Sequence, residues 1–306
     1  MKILITEAID ASAIQMLETA GHDVEKRFYA PRDEIMAAME DADAAIIRSR
    51  TKMDRELLDA GKKLLVVGVH GSGTDHVDKT YAKERGIAVL NVADGNSDSV
   101  TELTIGLMLN LSRRIGEAAA DVRRGGWRAD DFVGRELFGK TIGVIGLGSI
   151  GRRVAAVAAA LGMKPVGFDP YLKDPSAAGY PVVSDLGELL SQSDVVSVHI
   201  PLTDETKGLI NLSHLPLLRD GVILLNCARG GIIADDLLLA GLRSGKIAGY
   251  GADVMPEEPP ERGHPLLQYP NVIITPHFGA RTVEAQRKVA QSIAQKVLSA
   301  LENCKA

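Results

Sequence analysis

The sequence predicts an α/β protein made of two doubly wound parallel-sheet domains. Short apolar runs alternate with amphipathic helical patterns along most of the chain, which is typical of parallel sheets covered by helices on both faces. The length of 306 residues suits two domains of ordinary size. The composition, with 31 glycines and only 4% aromatic residues, also suits this architecture.

The N-terminal region contributes four candidate strands, separated by helical patterns. The strands lie at residues 2–6, 44–48, 64–69 and 87–91, and the helices lie around residues 11–20, 33–41, 55–60 and 77–85. No phosphate-binding glycine fingerprint follows the first strand. We therefore expect this region to hold substrate rather than a dinucleotide.

Residues 97–115 predict a helix that is apolar on most of its faces. Val100, Leu103, Leu107 and Leu111 form one stripe, and further apolar residues load the other side. Such a helix must be buried on most faces. We expect it either to join two domains and pack against a second subunit, or to be an interior helix of a monomer.

Residues 140–169 predict a strand, a glycine turn, a helix and a second strand. The turn reads Gly-Leu-Gly-Ser-Ile-Gly over residues 146–151. Gly146 permits a tight turn, Gly148 lets the backbone approach a pyrophosphate, and Gly151 allows close contact between helix and strand. The helix begins with Ser149 and Ile150, and its N-terminus offers free N–H groups to phosphates. These features predict a Rossmann domain that binds a dinucleotide.

Asp169 ends the second strand of this unit and indicates which dinucleotide is bound. Its carboxylate would accept hydrogen bonds from the adenine ribose and would repel a 2′-phosphate. The residues that follow, Pro170, Tyr171 and Leu172, supply no arginine. NAD is therefore predicted rather than NADP.

Reactive side chains follow several of the later predicted strands, at the edge where ligands bind in a doubly wound sheet. Arg229 follows the strand at 222–226, Glu258 follows 248–253, and His277 follows 272–275. Each has a plain structural alternative. Arg229 could make a surface ion pair, Glu258 could be a solvated loop acid, and His277 could be a hydrogen-bonded core histidine.

The other histidines are weaker catalytic candidates. His70, His199 and His264 lie near strand ends or loops, whereas His22, His76 and His214 resemble surface or helix-end residues. No cluster of side chains has metal-ligand spacing, and no serine or cysteine sits in a nucleophile elbow. The sequence therefore predicts neither a metal site nor covalent catalysis.

The bulk composition limits the partners and the compartment. The net charge of −5 argues against nucleic acid or an anionic membrane as the main partner. Two distant cysteines give no disulfide framework, no apolar run approaches membrane length, and the first residues predict a strand rather than a signal peptide. These features predict a cytoplasmic protein.

Five sequence blocks together resemble the NAD-dependent D-2-hydroxyacid dehydrogenases. They are Gly-Leu-Gly-Ser-Ile-Gly, Val-His-Ile-Pro-Leu-Thr-Asp-Glu-Thr, Asn-Cys-Ala-Arg-Gly-Gly, Asp-Val-Met-Pro-Glu-Glu-Pro and Thr-Pro-His-Phe-Gly-Ala. The resemblance implies a flavodoxin-like substrate-binding domain at residues 1–97 plus 278–306. It implies an inserted NAD-binding domain at 98–277 and a homodimer formed through the nucleotide-binding half.

The resemblance also implies roles for individual residues. The catalytic set is Arg229, Glu258 and His277, with Arg229 holding a 2-oxo acid and His277 transferring a proton beside Glu258. Cofactor contacts beyond the glycine turn and Asp169 are implied at Ser72, Ile200, Pro201, Thr206, Cys227, Ala228, Asp253, His277, Gly279 and Ala280. Substrate contacts are implied at Gly71, Ser72, Gly73 and Arg229.

Within the family, the chain looks most like a short 3-phosphoglycerate dehydrogenase, an enzyme of serine biosynthesis. Arg48 and Arg50 follow a strand end and could bind a distal anion. However, Val69-His70-Gly71 stands where many such enzymes have Arg-Ala-Gly, and no regulatory domains are expected after residue 306. The alternatives are a sulfolactate dehydrogenase, a hydroxypyruvate or glyoxylate reductase, an NAD(H)-binding corepressor, and a nucleotide-binding scaffold without activity.

Overall fold

A computed structural model describes residues 1–304, which form two compact units. The first unit contains Met1–Asn96 and the chain from Ala280 onward, and the second contains Ser97–Gly279. Each unit is a parallel sheet covered by helices, so the predicted α/β class with doubly wound sheets is confirmed.

The first unit contains a five-stranded sheet. Its strands are β1 (Lys2–Ile5), β2 (Asp23–Lys26), β3 (Ala44–Ile47), β4 (Val66–Val69) and β5 (Ala88–Asn91). The helices between them are α1 (Ala11–Thr19), α2 (Arg32–Met39), α3 (Arg55–Ala60) and α4 (Lys79–Glu84). The strand order is β2-β1-β3-β4-β5, and all pairs are parallel.

The second unit begins with two helices, α5 (Ser97–Arg113) and α6 (Ile115–Arg123). Its seven strands are β6 (Thr141–Ile145), β7 (Lys164–Phe168), β8 (Val182–Val183), β9 (Val195–Val198), β10 (Val222–Asn226), β11 (Ile247–Ala252) and β12 (Val272–Ile274). The remaining helices are α7 (Ser149–Ala160), α8 (Leu186–Gln192) and α9 (Asp235–Ser244). The strand order is β12-β11-β10-β9-β6-β7-β8.

The last helix, α10 (Val283–Asn303), packs on the sheet of the first unit. Thr282 caps its N-terminus, since the Thr282 hydroxyl accepts a hydrogen bond from the N–H of Ala285. The helix crosses β4 at Gly68, where a Cβ atom would lie 2.7 Å from the Val297 side chain. Together with α1 it covers one face of the sheet.

Both sheets bury alternate residues on opposite faces. In β1, Leu4 packs against the α2–α4 face, and Ile3 and Ile5 pack against the α1–α10 face. In β6, Ile142 and Val144 pack toward α5 and α7. Because both faces are covered, the strands appear as continuous apolar runs in the sequence, which is why most of them could be predicted.

Two edge strands and one helix boundary differ from the sequence expectation. β2 and β8 were not predicted, because β2 (Asp-Val-Glu-Lys) is a polar edge strand and β8 has only two residues. The expected helix over residues 97–115 ends at Arg113, since Arg114 adopts φ +53° and a second helix starts at Ile115. Leu107 and Met108 of α5 are buried in the core of their own unit.

No helix within residues 1–304 has both the length and the apolar character needed to cross a lipid bilayer.

Candidate active site

His277 and Glu258 form a directly bonded pair in the second unit. Nδ1 of His277 lies 2.7 Å from Oε2 of Glu258, and Oε1 of Glu258 accepts a hydrogen bond of 3.0 Å from the N–H of Met255. His277 follows β12 and has φ +52°, a left-handed conformation that few histidines adopt. Because Nδ1 is committed to Glu258, Nε2 is the ring nitrogen that remains available for proton transfer.

The environment of this pair favours its ionised form. The hydrogen bond to Glu258 raises the pKa of His277, against an opposing effect of burial. For Glu258, burial alone would raise the pKa, but hydrogen bonds from His277 and the Met255 N–H outweigh it and lower the pKa. The His277 side chain is 46% exposed, so the ring remains accessible to a reactant.

Asp253 fixes the loop that carries His277. The residue is buried at the end of β11, and its Oδ1 accepts hydrogen bonds from the Thr275 hydroxyl (2.6 Å) and the Phe278 N–H (3.0 Å). Its Oδ2 accepts a hydrogen bond of 2.7 Å from the Gly279 N–H. Both carboxylate oxygens therefore position the backbone around His277.

Arg229 lies close enough to His277 and Glu258 for its positive charge to act on both pKa values, lowering each. Its Nη1 donates a 2.7 Å hydrogen bond to the Ala228 carbonyl. The amide of Asn226 fixes the turn, because its oxygen accepts from the Ala228 N–H and its nitrogen donates to the Arg229 carbonyl. The structure thus brings together all three residues of the predicted catalytic set.

The predicted dinucleotide turn joins β6 to α7. Gly148 is the N-cap of α7, and no side chain caps this end of the helix, whose positive dipole end favours an anion. A Cβ at Gly151 would lie 1.9 Å from the Gly146 carbonyl oxygen, whereas the space at Gly148 is open. The open position is the one expected to face a pyrophosphate.

Asp169 lies beside this turn, at the end of β7. Its Oδ2 accepts a hydrogen bond of 2.9 Å from the Leu147 N–H, and its Oδ1 accepts one of 3.0 Å from the Tyr171 N–H. A carboxylate has about four acceptor positions, so further donors such as ribose hydroxyls can still be bound. The residues present therefore fit the adenosine and pyrophosphate portions of NAD.

The other predicted cofactor positions of this unit lie in loops after β9 and β10. Thr206 donates a 2.7 Å hydrogen bond to the Pro201 carbonyl, which closes the loop after Ile200. Cys227 precedes Ala228, and burial raises the pKa of its thiol to about 12. Cys227 is therefore a neutral side chain and not a nucleophile.

The loop between β3 and α3, in the first unit, is organised by the buried side chain of Glu7. Its Oε1 accepts hydrogen bonds from the N–H groups of Arg48 (3.0 Å) and Thr51 (3.1 Å), and its Oε2 accepts one from Arg50 (3.4 Å). The sequence analysis missed Glu7. An acidic residue two positions after a buried strand was the signal that could have identified it.

The side chains of Arg48 and Arg50 contact different neighbours. Nη1 of Arg48 donates to the Ala8 carbonyl (3.1 Å) and to Oε1 of Gln286 (2.9 Å), and burial lowers its pKa. The Arg50 guanidinium instead lies over the ring of Tyr29, 5.4 Å from its centroid. The structure therefore does not bring the two arginines to one set of partners.

Gln286 is a second residue that the sequence analysis did not assign to the site. Besides accepting from Arg48, its side chain donates a 2.7 Å hydrogen bond to the Ala280 carbonyl, and its carbonyl lies 3.3 Å from Nε2 of His70. It connects the first turn of α10 with the strand ends near the predicted Gly71–Gly73 loop. In that loop, the Ser72 carbonyl accepts a hydrogen bond from the Asn91 amide.

The pKa values of His70 and His199 are shifted in the opposite direction to that of His277. Burial lowers the pKa of each to about 4, so both are neutral near pH 7. His264 instead lies 3.4 Å from Asp235, outside the Arg229–Glu258–His277 set.

Within residues 1–304, no grouping of three or more histidine, cysteine, aspartate or glutamate side chains could hold a metal ion.

Residues 105–279 match the family model described as D-isomer specific 2-hydroxyacid dehydrogenase, NAD binding domain. The chain is 42% identical over 303 residues to D-3-phosphoglycerate dehydrogenase of Methanocaldococcus jannaschii, covering 98% of this chain and 57% of that protein. This chain thus spans little more than half the length of that relative.

Two further relatives match over nearly their full length. The chain is 38% identical to hydroxypyruvate reductase of Thermotoga maritima, with 98% of each chain covered. Its fold resembles that of D-lactate dehydrogenase from Aquifex aeolicus, solved with NAD and lactic acid, with a TM-score of 0.85 and 29% identity. That comparison covers 98% of this chain and 96% of the other.

Proposed function

Because the chain belongs to the D-isomer specific 2-hydroxyacid dehydrogenase family and carries its NAD binding domain, we propose that it interconverts a small 2-hydroxy acid and the corresponding 2-oxo acid. The observation that carries this proposal is the His277–Glu258 pair, with Arg229 beside it. The three residues supply the proton donor, its charge partner and a carboxylate-binding cation.

In reduction, His277 acts as the general acid. Bound NADH supplies the hydride that the carbonyl carbon accepts. The Nε2–H of the imidazolium donates a proton to the carbonyl oxygen, so the 2-oxo acid becomes a 2-hydroxy acid. Before this transfer, the Glu258 carboxylate orients the imidazolium ring and stabilises its positive charge. In oxidation, the neutral ring removes the same proton from the hydroxyl.

Arg229 binds the acid and polarises its carbonyl. A guanidinium presents paired donors in one plane, which match a carboxylate better than an ammonium does. Its permanent charge also stabilises the negative charge that develops on the carbonyl oxygen during hydride transfer.

The proposed cofactor contacts favour NAD over NADP. Asp169 is suited to accept hydrogen bonds from the ribose diol and would repel a 2′-phosphate. The N-terminus of α7, with the open space at Gly148, suits the pyrophosphate. Asp253 is proposed to act mainly by holding the backbone on both sides of His277.

The leading proposal for the substrate is 3-phosphoglycerate, which would place the protein in serine biosynthesis. The name and 42% identity of the archaeal relative support it, as does the presence of Arg48 beside Gln286. A hydroxypyruvate or glyoxylate reductase is the second candidate, because the bacterial hydroxypyruvate reductase matches over 98% of both chains. Sulfolactate is a further alternative with a distal anion.

We also propose a homodimer in the cytoplasm. The support for a dimer is an exposed apolar stretch from α6 to the start of β6. Ile115, Val122, Trp127, Val133 and Phe138 lie there, and Trp127 is 86% exposed. Large exposed apolar side chains this close in sequence are typical of association surfaces.

An NADH-consumption screen tests the proposed reaction. The substrates are 3-phosphohydroxypyruvate, sulfopyruvate, hydroxypyruvate, glyoxylate and pyruvate, each with NADH and with NADPH. We expect turnover of at least one 2-oxo acid with NADH, and highest kcat/KM with 3-phosphohydroxypyruvate. If none of these acids supports NADH oxidation, the dehydrogenase proposal is refuted. Equal use of NADH and NADPH would refute the proposed role of Asp169.

A further inference from the structure

A hydrogen bond joins two loops at the carboxyl edge of the sheet in the second unit. The hydroxyl of Tyr171, in the loop after β7, donates to Oε2 of Glu205, in the loop after β9, over 2.9 Å. The strand order places β6 between β9 and β7. The bond therefore spans the carboxyl end of β6, where the glycine turn at residues 146–151 begins.

This part of the sheet edge is where the proposed cofactor is expected. From β6 the chain adds β7 and β8 on one side and β9 to β12 on the other, so the strand order reverses between β6 and β9. In an open parallel sheet, a ligand binds beyond the carboxyl ends of the strands at such a point. Asp169 ends β7 and suits the adenosine ribose, so Tyr171 and Glu205 border the adenosine end of the site.

Both ends of the bond are held by hydrogen bonds within their own loops. The N–H of Tyr171 donates to Oδ1 of Asp169 over 3.0 Å. In the other loop, the hydroxyl of Thr206 donates to the Pro201 carbonyl over 2.7 Å. Because the backbone is fixed on both sides, the Tyr171 hydroxyl holds the Glu205 carboxylate in a defined position.

Tyr171 also brings two carboxylates near each other. Its N–H contacts Asp169 and its hydroxyl contacts Glu205, so the length of one tyrosine side chain separates the two acids. The hydrogen bond to Glu205 raises the pKa of the Tyr171 phenol, and the charge of Asp169 raises it further. The charge of Asp169 therefore acts at the position of the Tyr171–Glu205 bond.

Neither carboxylate is paired with a cation. Within residues 1–304, no side-chain nitrogen of a lysine, arginine or histidine lies within 4.0 Å of the carboxylate of Asp169 or Glu205. This includes Lys173 and Lys207, which belong to the same two loops. The adenosine end of the site is therefore bordered by two negative charges.

We propose that Glu205, positioned by Tyr171, is a second residue that makes the site select NAD over NADP. The inference rests on the proposed function, in which Asp169 binds the adenosine ribose. The 2′-phosphate of NADP carries about −1.5 to −2 charges at pH 7 and would be repelled by both carboxylates. The ribose diol of NAD is uncharged, so Glu205 disfavours NADP without weakening the binding of NAD.

Fluorescence titration of the full chain with NADH and with NADPH tests the proposal. Glu205→Gln removes the charge and keeps an acceptor oxygen for the Tyr171 hydroxyl. We expect this variant to bind NADPH about three- to tenfold more tightly, with NADH affinity changed by less than about twofold. The gain should shrink as sodium chloride is raised, because salt screens the repulsion in the unaltered protein.

Asp204→Asn is the matched control. Asp204 is the preceding acid in the same loop, and Tyr171 bonds to Glu205 and not to it. This variant should bind both cofactors within about twofold of the unaltered protein. Equal gains in NADPH affinity in Glu205→Gln and Asp204→Asn would show that only the net charge of the loop matters. That result, or no gain in Glu205→Gln, would overturn the proposal.

Tyr171→Phe tests whether the bond positions Glu205. The ring is kept and the Glu205 charge is released, so NADPH affinity should rise part of the way toward that of Glu205→Gln. The double variant should bind NADPH no more tightly than Glu205→Gln alone, because both changes act through one interaction. Unchanged NADPH affinity in Tyr171→Phe would overturn the positioning role of Tyr171.

Adenosine fragments locate the effect in the site. Adenosine 2′,5′-bisphosphate and 5′-AMP should each displace bound NADH, and Glu205→Gln should strengthen only the bisphosphate. Equal strengthening of both fragments would overturn the proposal. All of these readouts are binding affinities. A protein that shows them but oxidises NADH with none of the 2-oxo acids would refute the proposed function and leave the role of Glu205 supported.

Discussion

Each unit has a buried carboxylate whose oxygens hold a functional loop. Glu7 holds the backbone of Arg48, Arg50 and Thr51 in the first unit, and Asp253 holds Thr275, Phe278 and Gly279 in the second. They are 4% and 3% exposed. Buried carboxylates of this kind are stable because every charged oxygen accepts a hydrogen bond.

The two loops differ in what they present. The Glu7 loop presents guanidinium groups, whose charge does not change at ordinary pH, whereas the Asp253 loop presents His277, whose charge does. One loop is suited to binding an anion, and the other is suited to moving a proton. A buried carboxylate bonded to backbone N–H groups therefore supports anion binding in one loop and proton transfer in the other. Between these two functions, pH should affect only proton transfer.

The largest expected effect comes from removing the titratable group. His277→Ala should lower kcat by roughly 10²–10⁴, because no other side chain of the set can donate the proton. NADH binding should be largely retained, as measured by fluorescence titration. Near-normal turnover in this variant would reject the proposed mechanism.

Removing the charge of each buried carboxylate compares the two loops directly. Glu7→Gln and Asp253→Asn each place an NH₂ group opposite backbone donors, which should cost about 1–3 kcal/mol of unfolding free energy. Asp253→Asn should also move the reductive pH profile to lower pH, since Asp253 helps to raise the pKa of His277. Glu7→Gln should leave that profile in place.

These outcomes are measured by denaturant unfolding and by kcat/KM across pH. If both variants shift the pH profile equally, the division between a fixed-charge loop and a titrating loop is wrong.

Changing one guanidinium of the Glu7 loop should have a smaller and selective effect. Arg48→Ala should lower kcat/KM for 3-phosphohydroxypyruvate about tenfold or more, through loss of a charge-assisted contact. Hydroxypyruvate or glyoxylate should be affected less. Equal losses would mean that Arg48 supports the fold through Gln286 and Ala8 and does not bind the distal anion.

The smallest change in rate, but the clearest change in pH dependence, is expected for Glu258→Gln. Wild-type His277 has its pKa raised above 6.5, so reduction should remain fast until pH rises through that raised value. Without the Glu258 charge, the pKa falls and the alkaline limb of reduction moves to lower pH. The acidic limb of oxidation, which needs the neutral ring, should move the same way.

The His277–Glu258 pair stabilises the folded state most in the pH range between the lowered pKa of Glu258 and the raised pKa of His277. Glu258, with its pKa lowered below 4.5, loses its share of the stabilisation as pH falls through that lowered value. The stabilisation that protonated His277 contributes is lost as pH rises through its raised pKa.

An unchanged kinetic pH profile in Glu258→Gln would show that the 2.7 Å contact with Glu258 does not control the pKa of His277.

Features that depend on near neighbours in the chain could be predicted from the sequence. Alternating apolar runs predicted the parallel sheets, because strands buried on both faces must be apolar along their length. The spacing of Gly146, Gly148 and Gly151 and the acid at Asp169 predicted the dinucleotide turn. Its tight geometry is set within one strand–turn–helix segment.

Contacts between residues that are distant in the chain could be identified only in the folded structure. Glu7 reaches its loop from 41 to 44 residues away, and Arg48 meets Gln286 across 238 residues. Nothing in the local pattern specifies such partners, so Glu7 and Gln286 were missed and Arg48 was grouped with Arg50. The polar edge strand β2 was missed for a related reason, since its pairing with β1 defines it.

The folded structure also determines which histidine has a raised pKa. His70, His199 and His277 all lie at or just beyond strand ends in the sequence, and the local pattern does not predict their pKa values. Burial lowers the pKa of His70 and His199 to about 4, whereas the bond to Glu258 raises that of His277. A pKa depends on solvent exposure and on charges nearby in space, and folding sets both.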